Sequence, residues 1–189
     1  MKLRLIASFA AGTLLGGALL GGALMWFAPS LVSHAPYAGQ QARTVSSLSA
    51  DDIAQLEAGA GWGLAKPAEL NGYPGPLHVI ELADDLQLTD SQSAAIRASF
   101  AAMKKRATVL GRELVAAERA LDRAFEAGAI DRTALDRLLA QAEAVRATLR
   151  GVHLAAHLEV TPLLTPEQRE RYAALRGYGD ATHSGHGGH

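Results

Sequence analysis

The chain has 189 residues, about half of them hydrophobic but only 5% aromatic, and its 18 basic and 19 acidic side chains nearly cancel. This balance excludes the strongly basic surface of a nucleic-acid-binding protein. The apolar residues are mainly Ala and Leu, which favour closely packed helices over a sheet. Cysteine is absent, so we expect neither disulfides nor a lipid-modified N-terminus. The composition predicts an all-α protein that helix packing alone stabilises.

Residues 1–28 are distinct from the rest, because two basic residues precede an uncharged apolar run over residues 5–28. As a helix this run would span roughly 36 Å, enough to cross a hydrocarbon core of about 30 Å. We interpret it as an uncleaved transmembrane anchor that places the rest of the chain in the periplasm, as a single-pass inner-membrane protein. A cleaved signal, cut after residues 33–35, is the alternative interpretation.

Residues 29–76 are interpreted as a tether that contains one short helix and a loop rich in Gly and Pro. Ser49 is well placed to cap the short helix, and Gly59 to end it. The loop follows from about residue 61 to residue 76. No known motif accounts for residues 40–76, so the sequence assigns them no role.

Residues 77–176 show sustained helical periodicity. Four helices are predicted, over residues 77–87, residues 90–127, a long stretch after Asp131, and residues 166–176. Apolar residues spaced by alternating threes and fours give both long helices a coiled-coil-like seam, and the short loop between them predicts an antiparallel hairpin. Because Ala occupies many seam positions, the hairpin buries little surface alone, and we expect a homodimer. Residues 177–189 are predicted to be a disordered tail.

A five-residue phrase occurs twice, as L-T-D-S-Q from residue 88 and as L-T-P-E-Q from residue 164. Each copy fits a capping box, in which a threonine hydroxyl accepts from the amide three residues later and a glutamine side chain reaches back. The pairs are Thr89 with Gln92 and Thr165 with Gln168. Each copy is therefore predicted to end one helix and begin the next at a fixed angle.

Two L-T-x-x-Q phrases that open helices, a long charged hairpin between them and an export signal resemble the Spy/CpxP-like periplasmic family. The anchored N-terminus is most similar to its heavy-metal sensor and zinc-resistance-associated branch. The resemblance covers roughly residues 76–178 and implies a four-helix hook that dimerises into a curved shell. It also implies one of three roles, namely a chaperone for unfolded clients, a stress adaptor, or a metal sensor that signals through an anti-sigma factor.

Histidines are the residues best suited to chemistry. His153 and His157 lie one turn apart on the third helix, so both imidazoles can reach one cation. On the first helix His78, Glu81 and Asp85 share a face, and the hook would bring that face near the histidine pair. Three imidazoles and a carboxylate suit zinc, cobalt, nickel or copper rather than calcium.

The resemblance also implies metal ligands from an early helix and from an H-x-x-x-[M/H] pair, to which His153 and His157 correspond. Alternatively, the pair is solvated or caps the helix, and His78 forms an ordinary ion pair with an acid.

The C-terminal tail contains a second candidate metal site. Its histidines recur at intervals of three between flexible glycines, at His183, His186 and His189. Such spacing lets three imidazoles converge on one metal ion, weakly because ordering the tail costs backbone entropy. A neutral solubilising tail is the alternative.

No nucleophile–base pair, phosphate loop or pair of catalytic acids is present, so we do not expect an enzyme. The sequence predicts a periplasmic heavy-metal sensor or metal-resistance protein that binds a divalent transition metal. An ATP-independent chaperone or stress adaptor, whose basic second helix contacts clients, is the alternative. Expected partners are a second copy of the chain, the inner membrane, and an anti-sigma factor, a sensor kinase or unfolded proteins.

Overall fold

The computed structural model describes residues 36–178, and within that range every regular element is helical. The elements are α1 (Ala50–Glu57), α2 (Lys66–Glu69), α3 (Pro76–Glu81), α4 (Asp90–Glu126), α5 (Arg132–Val160), a 3-10 turn (Thr161–Leu163) and α6 (Pro166–Leu175). The all-α prediction is confirmed. None of the helices in this range combines the length and apolar content that a membrane crossing requires. The predicted anchor over residues 5–28 and the predicted tail beyond residue 178 lie outside the described residues.

The antiparallel hairpin of α4 and α5 forms the frame of the fold. Gly128, at a φ of 64°, ends α4 in the left-handed conformation that glycine adopts without steric cost. Asp131 then begins α5, because its carboxylate accepts a hydrogen bond of 2.7 Å from the Ala134 amide. The seam predicted from the spacing is largely buried. Its fully buried members are Ile96, Ala107, Leu114, Ala117, Leu138, Ala142, Leu149, Val152 and Ala156.

The first predicted helix of the hook is shorter than expected, since α3 ends at Glu81 rather than at residue 87. Residues 82–88 continue as turns, and Gln87 has a φ of 51°. Acidic side chains are unfavourable at the negative end of a helix, and Asp84 and Asp85 would occupy the last turn of the longer helix. The prediction that Asp85 shares a helix face with His78 and Glu81 was therefore wrong, because Asp85 lies beyond α3, whereas His78 and Glu81 do lie side by side on it.

Both repeated phrases form complete capping boxes, as predicted. The Thr89 hydroxyl accepts from the Gln92 amide at 3.2 Å, and the Gln92 side chain accepts from the Thr89 amide at 3.0 Å. The second copy repeats this arrangement, with 3.2 Å from the Gln168 amide to the Thr165 hydroxyl and 2.9 Å in return.

Two hydrophobic clusters lie along the hairpin. The first joins the segment before and including α1 to the middle of the hairpin, through Val45, Leu48, Leu56, Ala107, Leu114, Val115, Leu149 and Val152. The second joins α3, the start of α4, the end of α5 and α6, through Val79, Leu86, Ile96, Val160, Leu164 and Tyr172. Residues 45–56, predicted as part of a tether, thus contribute to the core.

Helix α1 begins at its expected cap, because Ser49 accepts from the Asp52 amide at 3.1 Å. It packs directly on the backbone of α4. A Cβ built on Gly111 would lie 2.0 Å from the Leu56 carbonyl oxygen, so only glycine allows this approach. Gly59 ends α1 at a φ of 65°, also against α4. This contact fixes the position of the loop that follows α1.

Candidate metal-binding cavity

A cavity of about 240 Å³ lies beside α5, between the parts of that helix that enter the two hydrophobic clusters. Its walls come from the loop after α1, the start of α3, the first half of α4 and the end of α5. We call it the histidine cavity. It is lined by Ala58, Gly59, Ala60, Gly61, Ala65, Gly75, Pro76, Leu77, His78, Phe100, Met103, Lys104, His153 and His157. The structure thus brings His78 to the same cavity as the predicted pair on α5.

His157 is held in one orientation by a backbone contact. The ring is buried, with 8% of the residue exposed, and its Nδ1 lies 2.7 Å from the carbonyl oxygen of Tyr73. A carbonyl oxygen only accepts, so Nδ1 carries the proton, and in the neutral ring Nε2 keeps its lone pair. Gly75 makes the approach possible, since a Cβ there would lie 3.2 Å from His157 Nε2.

His153 is the more deeply buried of the two, with 3% of the residue exposed. Its Nε2 is buried and has no hydrogen-bond partner among residues 36–178. Burial, and secondly the positive charge of His157 when that ring is protonated, lowers the pKa of His153. The imidazole is therefore neutral near pH 7 and able to act as a metal ligand.

His78 and Glu81 have different places at the site. His78 lies at the edge of the cavity, with 35% of its side chain exposed, and its Nδ1 lies 3.0 Å from Glu81 Oε2. Because a carboxylate accepts, Nδ1 donates and Nε2 of the neutral ring is left free. Glu81 does not line the cavity. Its geometry is that of a carboxylate that orients a histidine from behind.

The predicted donor set does not converge on one point. No group of three or more His, Asp or Glu side chains in residues 36–178 is placed closely enough to hold a metal ion together. His153 and His157 share the cavity as neighbours on one helix, and His78 faces it from α3. The tail histidines His183, His186 and His189 lie outside the described residues.

Glu69 on α2 connects His157 to α6. One carboxylate oxygen lies 3.8 Å from His157 Nδ1 and accepts from the Gly75 amide at 3.2 Å. The other accepts from the Tyr172 hydroxyl and lies 3.5 Å from Arg176 Nε. Burial and then the hydrogen bond to Glu69 raise the pKa of Tyr172 well above its ordinary value, so this phenol stays protonated.

Sequence patterns alone did not identify Glu69, Tyr73 or Met103 as residues of the site. Glu69 and Tyr73 come from the loop-rich segment to which no role was assigned, and Met103 was placed only in the helix seam. Nothing local marks Tyr73, because its contact with His157 joins residues 84 positions apart. Met103 carried a weak signal, as the one thioether in residues 36–178.

A second polar site joins the two repeated phrases, at the residues where α4 and α6 begin. Gln92 donates from Nε2 to Gln168 Oε1 at 2.9 Å, and Gln168 donates back to Gln92 Oε1 at 3.2 Å. The remaining amide hydrogens reach backbone carbonyls, from Gln92 to Leu163 at 2.8 Å and from Gln168 to Leu86 at 3.2 Å. We call this reciprocal pair the glutamine clasp.

The clasp and the hairpin define an all-helical protein in which two L-T-x-x-Q caps hold the ends of a helical hairpin together. The family model described as "LTXXQ motif family protein" matches residues 77–176, more than half of the chain. The chain belongs to the LTXXQ motif family, as its Spy/CpxP-like resemblance predicted. No curated protein and no solved structure shows significant similarity to the chain.

Proposed function

We propose that this protein binds a transition metal ion in the histidine cavity and acts as a heavy-metal sensor or metal-resistance protein of the cell envelope. The observation that carries the proposal is the buried, unpartnered Nε2 of His153, one turn from the oriented ring of His157. Membership of the LTXXQ family, with its envelope chaperones and metal-resistance proteins, supports it.

The unpaired Nε2 of His153 has an energetic cost in the metal-free protein. A buried polar atom without a partner costs about 1–3 kcal/mol, so it persists where something outside the protein satisfies it. A metal ion would satisfy the lone pair of His153 and that of His157 together. The hydrogen bond from His157 Nδ1 to Tyr73 matches the outer-shell contact that fixes most metal-binding histidines.

A sensor also needs a route from the site to another surface, and Glu69 supplies one. Its carboxylate contacts the Gly75 amide beside the ring of His157 and, through Tyr172 and Arg176, helix α6. A metal ion that shifts the ring of His157 would therefore alter the contacts of α6. This linkage favours signalling over simple metal storage.

We also propose a location and binding partners for the protein. The apolar run over residues 5–28 anchors the chain in the inner membrane, with the LTXXQ domain in the periplasm. Phe125 and Leu139, near the loop of the hairpin, are 56% and 42% exposed, which supports burial in a homodimer. An anti-sigma factor or a sensor kinase would receive the signal, and the tail histidines would form an auxiliary metal site.

The test is metal titration of the full chain in a background where His183, His186 and His189 are replaced by Ser. The double variant His153→Ala with His157→Ala should lose more affinity than the roughly 10- to 100-fold that loss of an outer-shell contact costs. His34→Ala, which removes a histidine from the predicted tether over residues 29–76, is the matched control. Calorimetry with Zn²⁺, Co²⁺, Ni²⁺ and copper that shows equal binding in background and double variant would refute the proposal.

The chaperone function has one observation in its favour. Helix α4 exposes basic side chains between residues 97 and 112, and none of them forms an ion pair within residues 36–178: Arg97, Lys104, Lys105, Arg106 and Arg112. Such a surface would attract acidic segments of unfolded proteins. Suppression of client aggregation by the metal-free chain, abolished when Lys105 and Arg112 become Glu, would favour this second function. Unchanged suppression in that variant would argue against it.

A further inference from the structure

We propose that the metal of the histidine cavity is a soft monovalent ion, Cu(I), held by His153, His157 and the thioether of Met103. This inference rests on the proposed function, since it names the metal class of the same cavity. The sequence predicts a divalent ion instead, and three features of the cavity wall favour a monovalent one.

The first feature is the third donor. Met103 projects from α4, is partly buried, and lines the cavity together with both α5 histidines. A thioether is a soft, uncharged ligand that selects Cu(I), whereas imidazole accepts several metals. Cu(I), the softest of these ions, gains the most from a thioether. Met103 therefore determines specificity among the ions that a histidine pair alone would accept.

The second feature is charge. Within the part of the chain that the structure describes, no Asp or Glu lines the cavity, because Glu81 lies behind His78 and Glu69 lies behind His157. The one charged side chain in the wall is Lys104, whose ammonium lies 5.7 Å from the centre of the Phe100 ring, another wall residue. A buried ion without a neutralising carboxylate is expensive, and the cost rises with the square of its charge. A monovalent ion suits these walls far better than a dication.

The third feature is the number of donors. Structural zinc takes four ligands in a tetrahedron. Among the described residues, His, Asp and Glu do not supply even three converging donors. Cu(I) is commonly satisfied by two or three neutral ligands, and two imidazoles with one thioether complete such a set. The Nε2 of His153 is buried and has no hydrogen-bond partner among residues 36–178, so no other contact in this range occupies it.

The experiment compares Cu(I) with Zn²⁺ in the full chain whose three tail histidines are replaced by Ser. Cu(I) affinity is measured without oxygen, by competition with a chromophoric Cu(I) chelator. Met103→Leu removes the sulfur at nearly constant volume. We expect it to weaken Cu(I) binding by at least about tenfold, as for loss of a metal contact, and to leave Zn²⁺ binding unchanged. Lys105→Ala, next to Lys104 but outside the cavity wall, should change neither affinity.

A second measurement needs no substitution at Met103. Ag(I), a redox-inert probe for soft monovalent sites, is added to the same full-length background, and oxidation of each methionine by peroxide is followed by mass spectrometry. Coordination should slow oxidation of Met103 at least about tenfold, because the bound sulfur lone pair is no longer available. Met1 and Met25 serve as internal references in the same sample.

The outcomes separate this inference from the function on which it rests. If the His153→Ala and His157→Ala variant loses Zn²⁺ or Co²⁺, but Met103→Leu keeps full Cu(I) affinity and Ag(I) does not protect Met103, the Cu(I) assignment is overturned and metal binding stands. If the double histidine variant binds every metal like its background, both are overturned. Selective loss of Cu(I) in Met103→Leu, with protection of Met103 by Ag(I), supports both.

Discussion

The glutamine clasp and the histidine cavity both involve the first half of α4, but the half-buried polar groups of the clasp are fully paired and a buried polar group of the cavity is not. In the clasp, both side-chain amides have all of their hydrogens and oxygens paired, with each other, with capped amides and with backbone carbonyls. In the cavity, His153 Nε2 is buried and has no hydrogen-bond partner in the part of the chain that the structure describes. A saturated network stabilises one conformation, whereas an unsaturated donor is open to a ligand. The contrast separates the fold-determining site from the candidate functional site.

The largest change in stability is expected where α1 packs on α4, beside the histidine cavity. Gly111→Ala would place a Cβ against the Leu56 carbonyl and force α1 away from α4, at a cost of about 3 kcal/mol. Because the residues after α1 line the cavity, metal binding should weaken while hydrogen exchange at the clasp stays slow. Gly151→Ala is the control, since a Cβ there meets nothing within 4 Å. Equal urea unfolding curves for Gly111→Ala and wild type would contradict the prediction.

The next largest loss of stability is expected when the glutamine clasp is disrupted. Gln92→Ala and Gln168→Ala should each cost about 2 kcal/mol, because each leaves a backbone carbonyl and the partner amide unpaired. The double variant should cost about 1 kcal/mol less than the sum, the coupling expected of directly bonded side chains. Thermal unfolding of the four proteins measures this cycle. Gln141→Ala, at an exposed position on α5, should change stability little, and strict additivity of the two clasp variants would disprove the reciprocal bond.

A smaller change, this time a gain in stability, is expected when the buried nitrogen of the cavity is removed. His153→Leu removes the unpaired nitrogen from the buried wall and should stabilise the metal-free chain by about 1 kcal/mol. The same change should abolish metal binding. Gain of stability with loss of binding is typical of a site selected for function. His78→Leu, at the exposed edge, should leave stability nearly unchanged, and destabilisation by His153→Leu would indicate that the ring is structural.

The smallest effect concerns pH. Hydrogen bonds from the Ser49 side chain and then the Trp62 indole hold the pKa of Asp52 below its ordinary value. The stability that this lowered pKa contributes, under about 1 kcal/mol, is present above the unfolded-state pKa of about 4 and is lost as pH falls through the folded-state pKa. The glutamine clasp contains no ionisable group, so lowering the pH should destabilise α1 before it affects the clasp.

Fluorescence of a Trp26→Phe chain, in which Trp62 is the remaining tryptophan, follows this acid transition directly. Asp52→Asn should remove the pH step, and Asp51→Asn should keep it, because Asp51 bonds only the exposed Gln55 side chain. A step that survives in Asp52→Asn would assign the titration to another group.

Much of the fold was predictable because its signals are local. A threonine and a glutamine three positions apart specify a cap, Gly128 specifies a helix end, and seam spacing specifies which face of α4 meets α5. The early end of α3 is the exception. The apolar spacing continues past Asp84 and Asp85, whose charges are unfavourable at the end of a helix, so periodicity alone predicts a helix that is too long. The placement of His153 and His157 on one face was also local, as one helical turn fixes it.

Local sequence patterns were enough to predict the helices, their caps, the hairpin and the family, because each depends on residues within a turn or two of one another. The long-range contacts became visible only once the helices were packed: Gln92 bonds Gln168 across 76 positions, Tyr73 orients His157 across 84, and Met103 rather than Glu81 lines the cavity. Those contacts depend on how packed helices approach, which no local pattern encodes. The metal preference proposed for the cavity therefore follows from packing, and the scaffold that presents it follows from sequence.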